Sequence, residues 1–313
     1  MGYLNPRQNS VLLQLNNVQV AHKAGFVSII GYPNVGKSTL MNALVGEKLS
    51  IVTPKAQTTR HRVMGILSGD DFQVVYSDTP GIVKPHYMLH KAMMSAVLSS
   101  LSDADLVMLV TEPNIPFEHE EILQYLRNSG VPLVIVINKV DLSTEEIVKT
   151  SITQWEQQFP QSVVIPASAL HKFNLGKVLD AILDKIPESP PFYPKDELSD
   201  RTERFFVSEI IREKILKLYS EEIPYSCEVS VESFKEEETI IRIEATIYVS
   251  RESQKAIILG HQGKAIRKLG TEARKDIEAF LDKHIFLGLT VKVEKDWREN
   301  ERLLKRFGYS FEK

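Results

Sequence analysis

The chain has 313 residues, 43% of them hydrophobic and 25% charged, so it exceeds one typical domain and has an ordinary globular composition. Its net charge of −3 and pI near 6.3 exclude a surface coated in positive charge for wholesale nucleic-acid or membrane binding; any such surface must be local. Cys227 is the only cysteine, which excludes a disulfide framework and a cysteine zinc site and fits a reducing compartment.

Residues 1–24 read as an N-terminal arm. The weak apolar stretch at 11–15 is interrupted by Gln14, is followed by Asn16 and Asn17, and lacks the small-residue cleavage pattern of a signal peptide. Elsewhere the longest apolar segments, such as 131–137, are less than half the length a membrane-spanning helix needs. A cytoplasmic location is expected.

Residues 25–187 alternate short apolar runs with helix-like stretches, the pattern of an α/β domain with a mixed, mostly parallel sheet buried on both faces. The runs 26–30, 72–77, 106–110, 133–137 and 163–165 are rich in β-branched residues and end at polar or turn residues. Each predicts a central strand, and ligands are expected at the carboxyl ends.

Between the first strand and a following helix stands Gly31-Tyr32-Pro33-Asn34-Val35-Gly36-Lys37-Ser38, with Thr39 behind it, a phosphate-binding loop in its confirming context. The glycines let successive backbone N–H groups converge on phosphate oxygens at the positive end of a helix. Lys37 is expected at the β- and γ-phosphates and Ser38 on a magnesium ion. Forty residues on, Asp78-Thr79-Pro80-Gly81 closes a strand; Asp78 can hold magnesium through water, and the Gly81 N–H can report the γ-phosphate. Between them, Gln57-Thr58-Thr59-Arg60-His61 offers threonine hydroxyls for a second magnesium contact, with Thr59 favoured over Thr58.

Asn138-Lys139-Val140-Asp141 follows the run 133–137 and separates guanine from adenine. The Asp141 carboxylate can accept from guanine N1–H and N2–H₂ together, a pair adenine lacks, which is worth about a hundredfold in discrimination. The stem of Lys139 would cover one face of the base, and Asn138 would brace the loop and the base edge. Ser168-Ala169-Leu170 is placed to offer a backbone N–H to guanine O6. Where many signalling GTPases carry a water-orienting glutamine after the Asp-x-x-Gly glycine, this chain has Ile82, so hydrolysis needs another device or runs slowly.

The proline- and charge-rich segment 188–204 predicts an extended linker. Beyond it, Phe206, Ile210, Ile211, Ile215 and Leu218 fall at helical spacing. Two alternating segments follow; in the second, Ile241, Ile243, Ala245, Ile247 and Val249 face one way and Arg242, Glu244, Thr246 and Tyr248 the other, a half-buried strand. A helical stretch at 253–281 is broken by Gly260-His261-Gln262-Gly263, and a strand with Leu287, Leu289, Val291 and Val293 on one face closes the α-β-β-α-α-β order. Cys227 reads as a small core residue.

These motifs, with the stretch from Asp200 to Phe205 and Glu209 to Lys214, resemble the Era family, within the translation-factor-related GTPases whose catalytic glutamine is replaced by a hydrophobic residue. The resemblance covers nearly the whole chain after Ala24. It implies a P-loop GTPase (G) domain at 25–187, a linker at 188–204, a smaller α+β type II KH RNA-binding domain at 205–296 and a C-terminal helix or tail at 297–313. It also implies GTP/GDP and Mg²⁺ as ligands, Lys37, Thr59, Gly81 and Asn34 as the catalytic set, and a potassium ion held partly by Asn34. The implied partners are the 3′ end of 16S ribosomal RNA and the 30S subunit during its assembly, with no DNA. A related GTPase acting on another RNA such as tRNA, and an RNA-binding module with nucleotide as a structural ligand, are the competing readings.

A KH loop clamps the backbone of about four unpaired nucleotides. Around Gly260, His261, Gln262 and Gly263, the basic residues Arg251, Lys255, Lys264, Arg267 and Lys268 stand against the single acid Glu252. Residues 201–313 carry 22 basic and 21 acidic side chains, so salt-dependent RNA binding is expected from this patch alone. His261 stands where many family members have lysine, which implies a weaker phosphate attraction. Family members also associate peripherally with the membrane, but Trp297, Leu303, Leu304 and Phe307 better suit a helix docked on its own domain.

Overall fold

The computed structural model describes residues 22–311. The apolar stretch at 11–15 and most of the expected arm lie outside the described residues.

The first sheet has six strands in the order β2-β3-β1-β4-β5-β6. They are β1 (Lys23–Ile30), β2 (Val63–Ser68), β3 (Phe72–Asp78), β4 (Leu106–Thr111), β5 (Leu133–Ile137) and β6 (Val163–Pro166). β1 starts at Lys23, so the last two residues of the expected arm belong to the sheet. β4 is buried at all six positions, as an apolar run covered on both faces must be. The helices α1 (Lys37–Val45), α2 (Met88–Ser102), α3 (Glu120–Asn128) and α4 (Glu145–Gln158) connect the strands, and α5 (Leu175–Lys185) follows β6. Their starts follow local chemistry: Thr144 accepts the Ile147 N–H at 3.4 Å as the cap of α4, and Glu120 and Glu121 sit in the first turn of α3.

Five strands run parallel, and β2 alone pairs antiparallel to β3. Sequence patterning missed β2, whose glycine and short length interrupt the β-branched signal. The register aligns the strand ends that carry function: Ile29 lies beside Asp78, and Thr111, Ile137 and Pro166 form a row, so the segments after β1, β3, β5 and β6 emerge together at one sheet edge.

Residues 188–202 run along β2 and β3, and the expected linker ends two residues short of Arg204 because a helix starts at Glu203. The Phe192 and Tyr193 N–H groups meet Gln73 Oε1 at 2.7 and 3.0 Å, the Ile66 N–H meets the Leu198 carbonyl at 2.9 Å, and the Ser199 hydroxyl donates to the Met64 carbonyl at 2.6 Å. The segment is extended, and it covers the open side of β2.

The second half begins with α6 (Glu203–Leu218) and a single turn, α7 (Ile223–Ser226), which patterning did not predict. Strands β7 (Cys227–Glu236), β8 (Ile241–Val249) and β9 (Ile285–Val293) form a sheet in that order, with β7 antiparallel and β9 parallel to β8. Helices α8 (Glu252–Leu259) and α9 (Lys264–Leu281) flank the glycine loop. Ile241, Ile243, Ala245, Ile247 and Val249 all face the core, with Ile211, Ile215, Ile258 and Ile277 against them, and Cys227 is buried among them. The opposite face of β8 departs from the simple alternation. Thr246 and Tyr248 are buried as well, and Phe307 packs on the Tyr248 ring at 5.0 Å.

The C-terminal segment also departs from expectation. It holds a 3₁₀ turn (Trp297–Glu299) and α10 (Glu301–Arg306), docked on both halves instead of one. Trp297, Leu304 and Tyr309 form one buried cluster with Leu89, Ala92 and Met93 of α2, while the Trp297 indole donates to the Ser226 carbonyl at 3.1 Å and the Tyr309 hydroxyl to Glu228 at 2.7 Å. His61 stacks on Tyr309 at 4.2 Å between the halves, and burial pushes its pKa down to about 4, so it is neutral there. No helix among the described residues is long and apolar enough to cross a membrane.

Candidate nucleotide site and nucleic-acid interface

A cavity of about 440 Å³ opens where the strand ends converge, within the range of small-ligand sites. One end is the loop 31–36. Gly36 has φ 95°, and a Cβ there would lie 2.2 Å from Asn138 Nδ2, so only glycine lets the loop pass beneath that amide. Asn138 is the joint of the site: its Nδ2 donates to the Val35 carbonyl at 2.8 Å, and its Oδ1 accepts the Ala169 N–H at 2.9 Å. The expected brace on the loop is present. The Ala169 N–H, however, is spent on Asn138, leaving Ser168 and Leu170 to line the base end with it.

Lys37 is buried and folds back over the loop, donating to the carbonyls of Gly31 at 3.1 Å and Tyr32 at 2.9 Å. Burial lowers its ammonium pKa to about 8, opposed by the Asp78 carboxylate. Ser38 donates to Asp78 Oδ2 at 2.6 Å and meets the Thr59 hydroxyl at 2.8 Å; Thr59 stands 3.4 Å from the same carboxylate oxygen. Burial raises the Asp78 pKa, opposed by the Ser38 hydrogen bond and by Lys37. The other carboxylate oxygen, Oδ1, is buried with no hydrogen bond. A carboxylate with an orphaned oxygen and two convergent hydroxyls is a donor set for a hard, oxygen-seeking cation, and it fits magnesium. Thr58 points elsewhere, to Thr53 at 2.7 Å and the Lys55 carbonyl at 2.6 Å, which favours Thr59 for the metal.

Several expected ligand residues act as framework. The Thr79 hydroxyl is spent on the Ile29 carbonyl at 2.7 Å, and Pro80 is buried beside it. Val35 belongs to the core, and the Tyr32 ring packs on Phe117 at 4.8 Å while its hydroxyl accepts the Glu118 N–H. Gly81 lies so close to the loop that a Cβ would meet Pro33 at 2.7 Å. Ile82 is buried with Ile30, Met94 and Val97 and is not among the residues lining the cavity.

At the base end, Lys139 has φ 60° and its ammonium donates to the Asn34 carbonyl at 2.6 Å and pairs with Glu112 at 2.7 Å, which lays its stem along the cavity. Glu112 was not foreseen. Asp141 is uncommitted apart from His171 Nε2 at 3.6 Å. The Asn34 amide, at φ 65°, donates to the Pro54 carbonyl at 3.0 Å and ties the loop to the segment that carries Thr59.

In the second half, Gly260, Gln262 and Gly263 take positive φ and form a tight turn between α8 and α9. His261, Gln262, Lys264 and Lys268 are exposed around it and Lys255 is half-buried. Arg267 braces the loop, donating to the Gln262 carbonyl at 2.6 Å and the Gly263 carbonyl at 3.2 Å. Arg251 sits at the opposite end of α8, beside a separate cavity with Tyr225 and Arg298. Beside the loop runs a groove of about 520 Å³ with Ile266, Gly270, Leu287 and Leu289 along it and Arg267 and Arg274 at its rim. Sequence reasoning missed Arg274, although it stands seven residues after Arg267, on the same helix face. Leu287 and Leu289, expected on one face of a strand with Val291 and Val293, are half-buried on the edge strand and pack against the core.

A family described as 50S ribosome-binding GTPase matches residues 26–139, and the KH domain family matches 222–298. GTPase Era of Staphylococcus haemolyticus is 44% identical over 291 residues, covering 92% of this chain and 97% of the relative. GTPase Era of Geotalea daltonii is 46% identical over 289 residues, covering 91% and 97%. Among solved structures, Era in complex with MgGDPNP and nucleotides 1506–1542 of 16S ribosomal RNA is similar with a TM-score of 0.88 and 36% identity, covering 92% of this chain and 99% of that one. A variant of Aquifex aeolicus Era bound to GDP·AlF₄⁻ is similar to the same degree.

Proposed function

The chain belongs to the Era family of GTPases, and from that premise we propose that it binds GTP with Mg²⁺, hydrolyses it to GDP and phosphate, and binds the 3′ region of 16S ribosomal RNA through its KH domain in 30S subunit assembly. The observation that carries this reading is a single cavity with a phosphate loop and magnesium donor set at one end and the free Asp141 carboxylate at the other. Ser38, Thr59 and Asp78 would hold Mg²⁺, which would supply charge neutralisation at the phosphates; Lys37 and the loop N–H groups would orient the phosphates, and the Gly81 N–H would be offered to the γ-phosphate.

The domain division is 25–187, 188–204, 205–296 and 297–313, with Lys23 and Ala24 joined to the first unit. RNA is read by the Gly260–Gly263 turn, Lys255, Lys264, Arg267 and Lys268, extended by Arg274 along the groove. With its amide nitrogen held by the Pro54 carbonyl, Asn34 would offer its side-chain oxygen to a potassium ion, which would supply the charge stabilisation an arginine finger gives elsewhere. The protein works in the cytoplasm. The apolar side chains a membrane-bound tail would use, Trp297 and Leu304, are taken up in its own core.

GTP turnover measured with K⁺ or Na⁺, with and without an RNA of the 16S 3′ region, tests the reading. Slow turnover, faster in K⁺ and raised by RNA, is expected. No turnover in either salt with RNA present defeats the enzyme assignment.

A further inference from the structure

Residues 50–60 join α1 to β2 without helix or strand, and Thr59 lies among them. Much of what holds Thr59 beside Ser38 and Asp78 comes from the other half of the molecule. Arg212 on α6, which has no exposed surface, donates through Nη2 to the Thr58 carbonyl and through Nη1 to the Gln57 carbonyl at 3.4 Å. Glu209, one turn earlier, accepts from Arg212 Nε at 2.7 Å and Nη2 at 2.5 Å and fixes the guanidinium plane. On the far side of Thr59, Arg60 donates to the carbonyls of Cys227 at 2.7 Å and Pro224 at 3.1 Å. Burying a guanidinium is costly, and apolar packing would hold two domains together more cheaply. What the guanidinium adds is direction: it is aimed at the two peptide groups that precede Thr59.

We propose that Arg212 is a positioning residue for the GTP state. It holds the 57–58 peptides so that Thr59 completes the magnesium and γ-phosphate shell, and that shell thereby depends on a side chain of the RNA-binding half. The proposal rests on the magnesium–nucleotide reading of Ser38, Thr59 and Asp78. GDP has no γ-phosphate for this shell, so Arg212 acts on GTP affinity and leaves GDP affinity alone.

The test measures affinities of the full chain for a non-hydrolysable GTP analogue and for GDP across a Mg²⁺ titration. Arg212→Lys keeps a positive charge for Glu209, but its three donors radiate from one nitrogen and cannot reproduce the planar fork by which Nε, Nη1 and Nη2 reach two carbonyls and both carboxylate oxygens. The expected result is an analogue affinity about tenfold lower, GDP affinity within about twofold, and a higher Mg²⁺ requirement for the analogue. The neutral pair Glu209→Gln with Arg212→Met loses at least as much; if that pair does not fold, Arg212→Lys decides. Lys48→Ala breaks a different contact between the halves, Lys48 to Glu213 at 2.9 Å, and leaves the analogue-to-GDP ratio unchanged. The proposal is overturned if Arg212→Lys keeps the wild-type ratio, or if Lys48→Ala shifts it equally. Wild-type protein that binds neither nucleotide would instead sink the parent reading.

Discussion

Replacing Asp141 by Asn tests base selection where the geometry is simplest. The carboxylate is 23% exposed, and its neighbour His171, at 3.6 Å, has a side chain 63% exposed, so little competes with a ligand for it. It can accept guanine N1–H and N2–H₂ at once. The amide keeps one acceptor and turns an NH₂ against the second donor. Losing one charge-assisted hydrogen bond costs about 1.5–3 kcal/mol, and the opposed donors bring the total to about 3 kcal/mol, a loss of GTP affinity of about a hundredfold. Xanthine carries a carbonyl where guanine has its amine, so the same NH₂ becomes a partner and XTP affinity rises. Competition of GTP and XTP for a fluorescent nucleotide reads both numbers on one sample. Unchanged GTP selectivity would remove Asp141 from base recognition, and equal losses for both nucleotides would make it a support of cavity shape.

Three further outcomes follow from the same geometry. Burial holds the Lys37 ammonium at about 8, and bound phosphates favour its charged form, so affinity is full below pH 8 and falls as pH rises through it. Calorimetry from pH 7 to 9.5 should show that fall, and Lys37→Met should bind weakly with a flat profile; a flat wild-type profile refutes the role. Ile82→Gln buries an amide in an apolar cluster and should cost about 2–4 kcal/mol in urea unfolding without speeding hydrolysis, since the side chain faces the core; a tenfold faster turnover would contradict this. Gly263→Asp has open space, with Ile266 Cγ2 at 4.0 Å, but φ 72° adds strain of about 1 kcal/mol and the carboxylate repels phosphates. RNA affinity should fall at least about tenfold with nucleotide affinity intact, and retained RNA binding would clear the loop of its part.

The nucleotide site was legible because its groups are contiguous in sequence and each motif ends a strand. The Gly31–Ser38 loop, Asp78 and Asn138 needed only the parallel register to meet. The role of Thr79 was not legible, since a hydroxyl beside the site gives no sign that the Ile29 carbonyl will take it. The strand β2 escaped even though it forms a local hairpin with β3, because Gly65 and its short length weaken the alternating β-branched pattern. The charges on α6 were the hardest to read. Apolar spacing marked Phe206, Ile211 and Ile215 correctly, but Glu209, Arg212 and Glu213 look like a solvated face until the first half of the chain closes over them.

That closure bears on how a site without a water-orienting glutamine can respond to RNA. With Ile82 in the core, the groups near the γ-phosphate end are Lys37, Ser38, Thr59 and the Gly81 backbone. Of these, Thr59 alone lies on the irregular segment 50–60, and its neighbours Thr58 and Arg60 are both tied to the second half. A partner that shifts α6 or β7 therefore reaches the metal shell through backbone carbonyls instead of through a transferred catalytic group. Coupling of this kind is typically 1–3 kcal/mol and must be reciprocal: whatever factor RNA adds to GTP affinity, GTP adds to RNA affinity. The C-terminal segment strengthens the connection. Trp297 and Tyr309 pack on α2, which follows Gly81, while holding Ser226 and Glu228 in the second half, so the segment carrying Thr59 and the helix after Gly81 are joined to that half by separate contacts.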